Sequence, residues 1–158
     1  MGIFSYIFGE NQNQHAKQDE LTQKISATMQ IALKFLMIAA GFLPGRFEKN
    51  MNTQQVAILF AFQAGAIVEA CYMVSLSVDE TVATCNEVLQ ILNNLTKERA
   101  TEILRKVSDY MKHGYPPYEE GQKAFRDYVA AISNNSEEES LLAAKRLWIL
   151  LEAFNDEK

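Results

Sequence analysis

Between Val56 and Val78 the chain runs for 23 residues with one charge, Glu69, and one other strongly polar side chain, Gln63. Its length and lack of alternation predict a helix, about 35 Å long at 1.5 Å per residue. A helix apolar on every side has two homes, the centre of a bundle or a bilayer. The length would span a hydrocarbon layer of ~30 Å. Ala57, Ala61 and Gly65 also form a small-xxx-small row that lets another helix approach closely. Against the bilayer stand Gln63 and Glu69, since a mid-membrane acid costs roughly 2.5–3.5 kcal/mol on insertion scales. Neither end carries a Lys/Arg cluster to set orientation. The expected place is therefore the centre of a soluble bundle.

The rest of the chain supplies the wrapping. From about Gln14 to Phe42, Leu21, Ile25, Met29, Ala32, Leu36, Ala39 or Ala40 and Leu43 recur at helical steps, and Gly41, Pro44 and Gly45 end the run. Asn52 and Gln55 have capping-box spacing, so the apolar helix is placed at 52–78. Ser77 and Glu80 form a cleaner box and open a third helix with Val82, Cys85, Val88, Leu89, Leu92 and Leu95 on its stripe. Asn93-Asn94 interrupts it. A fourth helix carries Ala100, Ile103, Leu104, Val107, Tyr110 and Met111 and stops at Gly114. Pro116 and Pro117 suit the first turn of a fifth, with Phe125, Tyr128, Val129 and Ile132. Ser136–Glu139 is read as another box, opening a last helix with Leu141, Ala144, Leu147, Trp148, Leu151 and Phe154.

These patterns predict an all-α, single-domain, mostly antiparallel bundle of about six helices around the apolar helix. Residues 1–13 are expected as an apolar/polar N-terminal segment, an arm on the bundle domain 14–158. With 158 residues, 48% of them hydrophobic, the core needs neither disulfides nor a structural metal. Met1–Phe8 (MGIFSYIF) lacks the basic region of a signal peptide, and two cysteines, Cys71 and Cys85, are too few for a secreted disulfide framework. A cytoplasmic location is expected. Lys plus Arg number 15 against 20 Asp plus Glu, a net charge of −5, and the basic residues are dispersed among acids. No nucleic-acid partner is expected from that balance.

Chemistry-bearing residues are sparse. Glu69 must be paired, hydrogen-bonded or protonated in such surroundings. It is read either as a structural ion pair or, with Gln63, as the polar floor of an apolar pocket. Cys71 and Cys85 flank the predicted turn and read as buried hydrophobes, lacking CxxC spacing. His113 follows Asp109 by four residues, a spacing that a helix-end dipole and an i,i+4 pair explain as well as catalysis does. Tyr110, Tyr115 and Tyr118 cluster around the Pro116-Pro117 corner, and Arg46 and Phe47 lie in a Phe/Arg loop; both are candidate recognition loops. Binding candidates are thus Glu69, Gln63, Tyr115, Tyr118, His113, Arg46 and Phe47. No catalytic constellation, cofactor motif or metal-ligand spacing is present.

The expected function is a non-catalytic protein-interaction protein, an adaptor-, regulator- or immunity-like bundle, with a protein partner or a second copy of itself. Alternatives are a small-molecule or lipid-binding bundle using Glu69 and Gln63, and membrane association through Val56–Val78.

Overall fold

The computed structural model describes residues 3–45 and 50–154, with side chains described from Lys17 onward. Its helices are α1 (Ile3–Gly41), α2 (Thr53–Met73), α3 (Val78–Asn93), α4 (Lys97–His113), α5 (Pro116–Ser133), α6 (Glu137–Ala144) and α7 (Arg146–Glu152). No strand occurs among the described residues. The fold is an all-α bundle. The short links after α2 favour neighbours that pack side by side. Helix α2 packs against α1, α3, α4, α5 and α7, which makes it the centre. Ala61 through Val68 are all buried. By length and composition α1 from Lys17 and α2 could each cross a membrane, but 61% of the most apolar part of α2 lies inside the bundle.

Capping chemistry starts the helices as their sequences require. The Asn52 carboxamide accepts from Gln55 N–H at 2.7 Å, and Asn52 N–H donates to Gln55 Oε1 at 3.1 Å. Ser77 and Glu80 make the same reciprocal pair at 3.1 and 2.8 Å. These bonds, the one from the Ser77 backbone foremost, hold the Glu80 carboxyl below its usual range. The box expected at Ser136 is only half made. Its hydroxyl accepts from Glu139 N–H, but its own N–H already donates to Ala131 C=O at 2.9 Å, closing α5. Glu139 therefore has no donor left to reach back for.

The apolar helix ends five residues before the expected Val78. Leu76 N–H donates to Cys71 C=O at 3.1 Å, and Ser75 turns left-handed with φ 59°. That closure stops α2 at Met73 and gives Val78 to the first turn of α3. A non-glycine residue in this conformation costs roughly 1–2 kcal/mol. Ser75→Gly is expected to raise stability by about 0.5–1 kcal/mol, a gain of about 1–4 °C in Tm for a chain of this size. Thermal denaturation followed by circular dichroism measures it, and an unchanged or lower Tm contradicts the strain.

Two other boundaries differ from the sequence pattern. Helix α1 starts at Ile3, eleven residues before the expected start near Gln14. The last helix is interrupted at Lys145 into α6 and α7, although Lys145 N–H still reaches Leu141 C=O at 3.0 Å. After the break Arg146 pairs with Asp127 at 2.7 Å and Glu120 at 3.7 Å, tying α7 to α5.

Helices α2 and α5 cross at two glycines. A Cβ on Gly65 would overlap the carbonyl of Tyr118, and one on Gly121 would overlap the carbonyl of Phe62. Each glycine thus seats the backbone of the opposite helix, a separation no larger residue permits. Beside this crossing Phe35 of α1, fully buried, meets the rings of Phe62, Phe125 and Tyr128 at centroid distances of 6.3, 5.6 and 4.9 Å. Three helices are therefore joined through one aromatic cluster.

Candidate functional site

Four residues assigned by periodicity to apolar stripes remain exposed: Val82, Met111, Ile132 and Leu141. Two of them, Val82 and Met111, line one groove of about 220 Å³. It lies between the end of α2, the first half of α3 and the end of α4. Val68, Cys85 and Val107 are its buried lining. Tyr72, Val78, Val82 and Met111 edge it, 51, 76, 52 and 44% exposed. The stripes of α3 and α4 thus continue past the point where the bundle stops covering them.

Polar groups in the groove are few. Ser108 lies on α4 and Thr81 on α3. Thr81 is 6% exposed and its Oγ1 is buried without a hydrogen-bond partner. It lies near enough to the Cys71 thiol to temper the effect of burial there. Burial pushes the Cys71 thiol up to about 11 and the Cys85 thiol higher still. Both cysteines are free and within electrostatic reach of each other across the α2–α3 turn. Protonated and buried, they contribute apolar surface rather than nucleophiles.

The residues singled out by sequence fall elsewhere. The Gln63 carboxamide is engaged by Asn93 of α3: Asn93 Nδ2 donates to Gln63 Oε1 at 2.8 Å and accepts in return at 3.4 Å through Oδ1. Glu69, its side chain 12% exposed, faces Arg126 of α5 at 3.6 Å. Arg126 is half in solvent, so this pair contributes little to stability. Neither Gln63 nor Glu69 lines the groove.

Tyr115 precedes α5 and stacks on Tyr110, centroids 4.3 Å apart, so the tyrosine loop is partly folded on itself. Burial, and then Tyr110, raises the Tyr115 pKa. Tyr118 is buried, its hydroxyl without a partner, and burial raises its pKa strongly. His113 is exposed in the last turn of α4 beside Lys112, where the helix dipole favours positive charge. Phe42 lies under Lys145, with the ammonium 5.4 Å from the ring centroid, closing one end of the bundle. Arg46 and Phe47 lie outside the described residues. Among the described residues no three His, Cys, Asp or Glu side chains converge as metal ligands.

The groove was missed because its residues read as core. The available signal was the position of Val82 and Met111, each within a turn or so of a helix end that borders the same opening. No protein-family model matches the chain, and no curated protein or solved structure is detectably similar to it.

Proposed function

We propose that this is a non-catalytic, cytoplasmic interaction protein that receives an apolar helical segment of a protein in the groove between α2, α3 and α4. One observation carries the reading. Val82 and Met111 occupy the apolar stripes of their helices yet stand open around a groove with a buried apolar lining. Contiguous apolar surface of this kind marks interaction sites in soluble proteins. At about 220 Å³ the groove is smaller than the roughly 300–1,000 Å³ typical of small-molecule pockets, which favours one or two anchoring side chains. With Gln63 held by Asn93 and Glu69 facing Arg126, the pocket reading that relied on them has less support.

A photoreactive side chain placed at Val82 tests this in the producing cell. The expected result is a discrete protein adduct that Met111→Asp reduces at least tenfold. No protein adduct, together with a small molecule retained by the native protein in mass spectrometry, would overturn the reading in favour of ligand binding.

A further inference from the structure

We infer a second docking surface, the cation-edged groove between α2 and α4, which takes the acidic start of α6 from another copy of this chain. Only Val107 is common to it and the groove edged by Val82, and it stands whether or not that groove binds protein. Its floor is apolar, from Val56 and Phe60 of α2 and Ile103 and Val107 of α4. Arg99 and Lys106 edge it, and no acid takes part in the lining. Seven residues apart, the two cations lie on one line of α4. Glu102 occupies Arg99 at 2.9 Å, while Lys106 is exposed and has no ion-pair partner among the described residues. The space is about 130 Å³, room for one apolar side chain. A chain of net charge −5 thus sets positive charge beside an apolar slot, so the complementary occupant pairs an acid with an apolar anchor.

The chain displays such a pair itself. At the start of α6, Glu137, Glu138 and Glu139 are exposed, and none is ion-paired among the described residues. Leu142, one turn after Glu138 and so on its side of the helix, is 55% exposed. Lys106 follows Ile103 at a similar spacing on α4, which lets Glu138 meet the ammonium as Leu142 enters the slot. Helix α6 packs on α5, α1 and α7 and on neither α2 nor α4. The two surfaces therefore meet between copies and not within one. Because they are different surfaces, the association runs head to tail. A contact of this small size is weak and transient.

Sedimentation equilibrium of the full chain, at up to about 1 mM to reach the Kd range of weak contacts, provides the test. The wild-type mass should rise above 17.9 kDa with concentration. The rise should need about tenfold more protein in about 0.5 M salt than in about 0.05 M, because exposed charges are screened. Lys106→Glu and Glu138→Lys, each first checked for native helicity by circular dichroism, should remain monomeric. The doubly substituted Lys106→Glu/Glu138→Lys chain again sets opposite charges against each other and should regain association. A wild type that stays monomeric overturns the inference. So does a single variant that associates like the wild type, or a charge-swapped variant that stays monomeric. Self-association through the Val82 groove is told apart by Lys106→Glu associating unchanged while Val82→Asp is monomeric, a result that overturns the inference.

Discussion

Replacing Phe35 by alanine is expected to cost about 3–5 kcal/mol, the range for truncating a fully buried aromatic residue. For a domain with a typical total of about 5–15 kcal/mol, that removes about a fifth or more of the stability. The ring is in contact with Phe62, Phe125 and Tyr128, so its loss opens a cavity lined by α1, α2 and α5 together. These walls cannot close inward easily, because the α2–α5 separation is already set by glycine contact with backbone. A relaxed cavity would lower the cost, and a pinned one keeps it at the upper end. Urea denaturation should show the midpoint falling with little change in slope. Met37→Ala, two residues along the same helix but 64% exposed, should stay within about 0.5 kcal/mol of wild type. Equal effects at the two positions would contradict the described orientation of α1.

Gly65→Ala is expected to destabilise by about 3 kcal/mol, at the upper end for overpacking, with a fall in Tm of about 6–12 °C. The sign is unusual for a mid-helix glycine. Alanine ordinarily gains about 1 kcal/mol there through helix propensity. Here its methyl would meet the Tyr118 carbonyl, and backbone cannot swing aside as a flexible side chain can. Helices α2 and α5 must separate, loosening the packing beside Phe62 and Phe125. Gly121→Ala should behave alike, since its methyl would meet the Phe62 carbonyl. Once one methyl has parted the helices the second meets less resistance, so the double variant should cost less than the two single costs added. Gly41→Ala is the control, with nothing within 4 Å of the added carbon. Calorimetry on the four variants decides; additive costs, or a Gly65→Ala protein as stable as wild type, would reject the close crossing.

Much of this architecture was legible residue by residue. Asn52 with Gln55 and Ser77 with Glu80 announced two helix starts because the capping box is local, needing only four residues of chain. Gly114 and Pro116 marked the α4–α5 corner for the same reason. The length of α2 was less legible, because Ser75 has no intrinsic preference for the left-handed turn it adopts. Gln63 and Glu69 were recognisable as polar groups requiring partners, but Asn93 and Arg126 lie 30 and 57 positions further along the chain. No local pattern names a partner at that distance. Gly65 stood out as one of a row of small residues, while its counterpart Gly121 became visible only when α5 was seen to cross it.

By itself the sequence determined that the chain is helical, where most helices begin, and that the apolar helix starting near Val56 belongs at the centre. Periodicity, capping and hydropathy act within one helix, so they can be read along one chain. Tertiary structure alone decided which apolar positions stay covered. Val82 and Leu89 lie seven residues apart on the same stripe of α3, but the bundle buries Leu89 and leaves Val82 open at the groove. That difference comes from where neighbouring helices end, a property of packing in three dimensions that no single helix encodes.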